Sequence, residues 1–284
     1  MACDLVLRDT EVALWTVRRA LERLPPAREI AHLARAADAE LLAQATVDDQ
    51  PVPAPDAIPG IIDHTLLRAD ATPADIERVC REAREYAFAS VCVHPRFVPL
   101  AARMVWGSGV RVSTVIGFPL GASTTVVKAL EAVVAIGQGA QELDMVLPLG
   151  ALKAGALEEV GLEIAAVVAV GHAQDALVKV ILETGTLSPA EQVRGCLLAR
   201  EAGADFVKTS TGFVARGAEE RDVRRLRSLA GPRMGVKASG GIRTRTDLER
   251  MVRAGASRVG TSSGVEIIRA YREAGAAVLA GRVA

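Results

Sequence analysis

The sequence predicts an α/β fold, a closed (β/α)8 (TIM) barrel with a helical extension in front of it. Three observations point there. From Gly60 onward, short apolar runs alternate with helical stretches through eight cycles, and strands alternating with helices build a parallel sheet from βαβ units. The length of 284 residues suits a barrel of about 250 residues. No Gly-x-Gly-x-x-Gly follows the first strand, so the competing doubly wound open sheet lacks its usual phosphate-binding turn.

The elements follow in order. Residues 12–44 are rich in Ala, Leu, Arg and Glu, with a break at Pro25-Pro26. This pattern predicts two amphipathic helices, 11–24 and 27–44. Pro51, Pro53, Pro55 and Pro59 then give linker composition. The chain therefore divides into a helical extension with a Pro-rich linker, 1–57, and a barrel domain, 58–284. The extension carries no evident chemistry, and His32 reads as a surface or packing residue. Its expected use is to cap the barrel or contact another subunit. Strands are expected at 61–63, 90–93, 111–116, 142–146, 178–182, 206–208, 235–237 and 258–260. Helices are expected at 73–86, 95–106, 124–137, 157–170, 189–202, 219–229, 245–254 and 264–274.

Composition excludes several classes. Lys+Arg and Asp+Glu balance at 34 each, so there is no electrostatic footprint for nucleic acid or an anionic membrane. Half the residues are hydrophobic and only 3% are aromatic, so Val, Leu, Ile and Ala must build the core. Cys3, Cys80, Cys92 and Cys196 are scattered without Cys-x-x-Cys spacing, which fits a reducing cytoplasm. Asp4, Asp9 and Glu11 argue against a signal peptide. The apolar run 164–170 is too short to span a bilayer.

Barrel chemistry collects at the C-terminal strand ends. Strand one ends in Asp63-His64-Thr65 and strand two in Cys92-Val93-His94. Strand four carries Glu142 and Asp144, strand five Lys179 and Glu183, strand six Lys208, and strand seven Lys237. Side chains alternate along a strand, so Glu142 and Asp144 share a face, as do Lys179 and Glu183. Carboxylates and lysines converging inside a barrel must pair or titrate. An internal ion-pair network accounts for Lys179, Glu142 and Glu183, which sit deeper. Lys208 and Lys237 lie beside Ser/Gly turns on neighbouring strands, where mutual repulsion lowers at least one pKa. A lysine held partly neutral is an amine nucleophile. Lys208 is the expected nucleophile, Lys237 the perturbing cation, and Asp144 the proton-transfer group. The turns Ala238-Ser239-Gly240-Gly241 and Gly260-Thr261-Ser262-Ser263-Gly264 stand where barrels bind phosphate with backbone N–H groups and a helix N-terminus. His32, His64, His94 and His172 lie in separate segments without metal-ligand spacing, so no metal is expected. His64 and His94 read as hydrogen-bonded loop residues.

These motifs together resemble the deoxyribose-phosphate aldolase family, class I aldolases on a (β/α)8 barrel. The resemblance covers 60–270. It is carried by Ile62-Asp63-His64-Thr65-Leu66, Ser90-Val91-Cys92-Val93, Val115-Ile116-Gly117-Phe118-Pro119-Leu120-Gly121, Glu142-Leu143-Asp144-Met145-Val146, Lys179-Val180-Ile181-Leu182-Glu183-Thr184, Phe206-Val207-Lys208-Thr209-Ser210-Thr211-Gly212-Phe213 and Val236-Lys237-Ala238-Ser239-Gly240-Gly241-Ile242-Arg243. It implies reversible cleavage of 2-deoxy-D-ribose 5-phosphate to acetaldehyde and D-glyceraldehyde 3-phosphate, without metal or organic cofactor. It implies that Lys208 forms the Schiff base, that Lys237 lowers its pKa, and that Asp144 relays protons. Substrate contacts would come from Lys179, Thr211, Gly212, Ser239, Gly240, Gly241, Gly260, Ser262 and Ser263, and from Cys92 where it lines the site rather than simply packing. The partner implied is a small sugar phosphate, and a homodimer is the expected assembly.

Two departures from the family pattern stand out. The loop after Phe213 reads Val214-Ala215-Arg216-Gly217-Ala218-Glu219 where the family has a glycine-rich loop ending in Gly-Ala-Thr. Arg216 is equally readable as an anion contact or a solvated residue. Residues 1–57 are longer than the family's usual front end. Two other functions stay open from residues alone: another Schiff-base sugar-phosphate aldolase, and a barrel that binds a sugar phosphate without turnover.

Overall fold

Eight parallel strands close on one another in chain order. They are β1 (Ile62–Leu66), β2 (Ser90–Val93), β3 (Arg111–Ile116), β4 (Glu142–Val146), β5 (Leu177–Ile181), β6 (Phe206–Lys208), β7 (Gly235–Ser239) and β8 (Arg258–Thr261). The ring closes where Asp63 of β1 pairs with Gly260 of β8. The computed structural model describes residues 2–280, with side chains over 11–275. Cys3, Asp4 and Asp9 therefore lie outside the described side chains. The helices are α1 (Ala2–Leu21), α2 (Ala27–Ile30), α3 (His32–Ala36), α4 (Ala39–Leu42), α5 (Pro73–Tyr86), α6 (Val98–Val105) and α7 (Thr125–Gly137). They continue as α8 (Leu149–Lys153), α9 (Leu157–His172), α10 (Pro189–Glu201), α11 (Glu220–Ala230), α12 (Arg245–Arg253) and α13 (Gly264–Ala280).

Local chemistry starts the barrel helices. Thr72 with Asp75, Ser188 with Glu191, and Thr244 with Asp247 form reciprocal caps at α5, α10 and α12. Each pair satisfies backbone N–H groups that a helix start leaves orphaned. Strands β2 and β4 are buried at every position, as expected of parallel strands covered on both faces. Their outward Val, Leu and Met side chains pack under the helices. Each such burial contributes about 1.5–3 kcal/mol.

Strands β2, β3, β4 and β6 hold at their expected bounds, and β1, β5, β7 and β8 shift by one to three residues at an end. The shift in β1 matters most. Asp63 lies within the strand rather than at its end, because pairing with β2 runs on to Leu66. Four helix expectations are corrected. Helix α1 runs over Ala2–Leu21 rather than 11–24, and α13 continues to Ala280 rather than ending at 274. The stretch 27–44 is three short helices, not one. Ala37 is extended (φ −70°, ψ 135°), and the Asp38 carboxylate then accepts from Leu41 N to start α4 anew. A capping aspartate favours a new start over continuation. The stretch 95–106 opens with a 3-10 turn, Pro95–Phe97, before α6. The short helix α8 had no clear periodic signal.

The front segment lies on the outer helical layer. Ala13, Val17 and Ala20 form the buried face of α1 against α7 and α9, a spacing that fits one helical stripe. Helices α2–α4 cross α9 and α10. Polar ties add to this: Arg35 to Glu158 at 2.8 Å, Arg225 Nε to Ala43 O at 3.0 Å, and Gln50 N to Arg253 O at 2.8 Å. Among the described residues, no helix is long and apolar enough to cross a membrane.

Candidate active site

Strand alternation brings Asp63 (β1), Glu142 and Asp144 (β4), Lys179 (β5), Lys208 (β6), Lys237 (β7) and Arg258 (β8) into the barrel interior. The first six are almost wholly buried. Lys208 stands in register with Lys237. Asp144 is the hub. Its Oδ2 accepts from Lys208 Nζ and from Lys237 Nζ, each at 2.7 Å, and its Oδ1 accepts from Lys179 Nζ at 2.8 Å. Lys237 also pairs with Asp63 Oδ2 at 2.5 Å, and Lys179 with Glu142 Oε2 at 2.6 Å. Lys208 alone among the three has a single carboxylate partner.

These contacts set the protonation states. Burial pushes Lys208 below the ordinary lysine value; Asp144 opposes this and repulsion from Lys237 adds to it. Desolvation thus leads, with repulsion from Lys237 supporting, the two causes expected of a buried lysine beside a second one. Burial also pulls Lys237 down, but Asp144 and Asp63 outweigh it and hold its proton firmly. Burial would raise Asp144, yet Lys179, Lys208 and Lys237 hold it well below the usual carboxylate range. Asp63 is held down against burial by Lys237, Lys179 and Arg258. One amine is therefore poised to lose its proton among groups that stay charged.

Above Lys208 opens a cavity of about 420 Å³, lined in part by Lys208, Thr211, Phe213, Ser239, Gly240, Gly241, Gly260 and Ser262. That volume suits a small ligand. Gly240 (φ +90°) and Gly241 (φ +79°) adopt left-handed backbone, which glycine takes without steric cost. Gly260 has a second reason: a Cβ there would stand 3.0 Å from Lys237 Cε.

Some expected substrate contacts do not line this cavity. Lys179 is fully buried, and its ammonium is taken up by Asp144, Glu142 and Ser113 Oγ. Cys92 is 1% exposed and packs with Leu67, Val115 and Phe118. Gly212 and Ser263 flank the cavity without lining it. His64 turns outward to Glu82 at 2.7 Å, and His94 bonds Leu67 O at 2.8 Å. The carboxylate of Glu183, a residue at φ +55°, accepts from both the backbone N–H and the hydroxyl of Thr211.

The variant loop also has a definite place. Arg216 bonds Asp222 at 2.7 Å and does not line the cavity. Instead Ala218 N donates to Ser239 O and Gly240 O, so the loop backs the Ser239–Gly241 turn. A Cβ on Gly217 would fall 2.2 Å from Gly240 O.

Sequence reasoning missed several residues. Asp63 and Arg258 join the buried network, and Arg68, Arg78 and Arg243 line the cavity. Arg243 had a signal, since it lies two residues beyond the Gly240-Gly241 turn. Among the described residues, no group of three His, Cys, Asp or Glu is arranged to hold a metal ion.

Comparisons with known proteins agree with this architecture. The family model described as DeoC/LacD family aldolase matches residues 60–279. A protein of Carboxydothermus hydrogenoformans named deoxyribose-phosphate aldolase is 55% identical over 211 residues, covering 74% of this chain and 92% of that protein. A solved chain from Coccidioides immitis superposes with a TM-score of 0.80 at 41% identity, covering 88% of this chain and 99% of that one. The deoxyribose phosphate aldolase of Aeropyrum pernix, described as a unique tetramer, superposes with a TM-score of 0.73 at 36% identity, covering 87% and 99%. Both structural coverages exceed what 58–284 alone supplies, so part of the front segment has a counterpart in those two structures. With a closed barrel, a lysine–aspartate cluster under a glycine-lined cavity and matches across most of its length, the chain belongs to the DeoC/LacD family of aldolases.

Proposed function

We propose that this chain is a class I aldolase that reversibly cleaves 2-deoxy-D-ribose 5-phosphate to acetaldehyde and D-glyceraldehyde 3-phosphate. The observation that carries the reading is the contrast among the lysines: Lys179 meets three carboxylates and Lys237 two, whereas Lys208 has one and opens onto the cavity. The names of the similar proteins supply the substrate.

The neutral amine of Lys208 adds to the C1 aldehyde of the open-chain sugar, and loss of water leaves an iminium ion. The C3 hydroxyl then gives up its proton and the C2–C3 bond breaks. Its electron pair moves through C2 to the iminium nitrogen, giving an enamine and free D-glyceraldehyde 3-phosphate. Protonation of the enamine at C2 and hydrolysis release acetaldehyde and restore Lys208. Lys237 keeps its proton and supplies fixed positive charge beside the amine. Asp144 Oδ2, bonded to both lysines, holds the amine in place and passes protons locally. The Ser239–Gly241 and Gly260–Ser262 turns would hold the phosphate with backbone N–H groups and hydroxyls, with Arg243 adding charge. We infer a cytoplasmic homodimer, from unpaired thiols and from the prevalence of two-fold assemblies.

Borohydride trapping with acetaldehyde, read by peptide mass spectrometry, tests the covalent step. An ethyl adduct on Lys208, absent from Lys208→Ala, is expected. An adduct on Lys237 alone would reverse the two lysine roles, and folded protein with no adduct would overturn the aldolase reading.

A further inference from the structure

We propose that Arg258 is a positioning residue for the chemistry at Lys208: as the fourth cation set against three carboxylates, it makes one lysine of the cluster surrender its proton. The inference rests on the Schiff-base reading above.

Arg258 enters the interior from β8, in register with Lys237. Its guanidinium donates to Asp63 Oδ1 of β1 at 2.6 Å and to Glu142 Oε2 of β4 at 3.1 Å. Its central carbon lies 5.4 Å from the Phe206 ring centroid of β6. Glu142 also meets Lys179 of β5 at 2.6 Å and Arg111 of β3 at 3.6 Å. The Arg111 side chain is 49% exposed, so solvent screens most of its charge. Lys208 is faced by Asp144 of β4, by Lys237 of β7 and by the Cys92 thiol of β2, which burial keeps protonated.

The buried cluster therefore holds Lys179, Lys208, Lys237 and Arg258 against Asp63, Glu142 and Asp144. In water a surplus charge would cost little. In a buried interior an unbalanced charge is expensive, and the group with the most labile proton yields. Arginine does not yield. Lys179 is held by Glu142 and Asp144, and Lys237 by Asp63 and Asp144. Lys208 shares one carboxylate oxygen with Lys237 and borders the cavity, so it yields. Without Arg258 the cluster has three lysines and three carboxylates, and Asp63 serves Lys237 at 2.5 Å with only Lys179, farther off at 3.8 Å, beside it. Asp144 Oδ2 then serves Lys208, which keeps its proton to higher pH. Arg258 thus acts on the nucleophile through Asp63 and Lys237, without touching substrate.

The experiment measures initial rates of acetaldehyde trapping at Lys208 against pH in the full chain, its R258Q, R258K and E142Q variants, with circular dichroism as the folding control. In R258Q the midpoint should rise by about one pH unit, which cuts trapping roughly tenfold below the midpoint. R258K keeps a cation there, but one that can yield its own proton, so its midpoint should fall between those of the wild type and R258Q. E142Q removes a carboxylate and should move the midpoint down. An unmoved midpoint in folded R258Q, or an R258K midpoint displaced as far as that of R258Q, overturns the proposal. If R258Q does not fold, E142Q decides: a downward shift supports the proposal and any other result overturns it. A wild-type chain with no Lys208 adduct at any pH fails earlier, at the Schiff-base reading, and takes this inference with it.

Discussion

Asp144 accepts from three lysines, so replacing it separates binding of the carbonyl from turnover. Asp144→Asn preserves shape but removes the charge that holds and relays protons. Lys208 should still form a trapped adduct, because the surplus of cations has grown. Turnover of the sugar phosphate should fall about 100-fold or more. Loss of adduct together with turnover would show that Asp144 is needed for amine attack itself. Much at this scale was legible in the sequence: lysines and carboxylates are rare on buried strands, and alternation put Glu142 and Asp144 on one face. Asp63 was placed at a strand end without a role, and Arg258 was not singled out, for one geometric reason. Their ion pair joins residues 195 positions apart, and only closure of β8 on β1 brings them together. Lys179 had two readings, an internal ion pair from its depth and a substrate contact from the family resemblance, and its depth spends the ammonium on carboxylates.

Loops and helices decide how the site is held. The loop 214–219 departs from the family pattern in residue type, yet its backbone braces the Ser239–Gly241 turn. Arg216 could not be assigned from sequence because its partner, Asp222, lies on the next helix and competes with any anion. A similar buried support went unnoticed beside β3. Lys128 of α7 donates to Gly121 O and Val146 O, each at 2.8 Å, and to Glu163 of α9. Helical periodicity assigned both helices but does not reveal which charged residue turns inward. The front segment makes a sharper case. Ile30 is buried, and a Cβ on Gly161 of α9 would lie 2.9 Å from its Cγ2. Ile30→Ala removes that contact, and such truncations cost about 2–5 kcal/mol in well-packed cores. Faster amide exchange over 27–42 is expected, with trapping at Lys208 unchanged. Equal loosening of the barrel strands would show instead that the segment and barrel unfold as one cooperative unit.

The molecule as a whole is a ring of eight strands whose interior is charged rather than apolar, and that ties its stability to pH. The ring was legible from eight repeats and their turns, but the protonation of its interior follows from distances that no periodicity encodes. Asp63 and Asp144 are both held below their ordinary value of 3.8, against burial, by the surrounding lysines and Arg258. A carboxyl whose folded-state pKa is depressed binds fewer protons folded than unfolded. Its contribution is therefore complete above the unfolded value and is lost as pH falls through the folded one. Wild-type stability in urea should change little through this pair between about pH 7 and pH 5, then decline steeply below about pH 4. Asp144→Asn has already lost one of the two contributions. It should be the weaker protein at neutral pH, and its decline in acid should be shallower, so the two stability curves converge as the pH falls. Parallel curves would mean that Asp144 keeps a nearly ordinary pKa in the folded chain, and that the charge balance among the three lysines and Arg258 is struck elsewhere. Convergence with the wild-type protein would tie acid stability to the carboxylate that holds Lys208, making the active site a structural support of the ring.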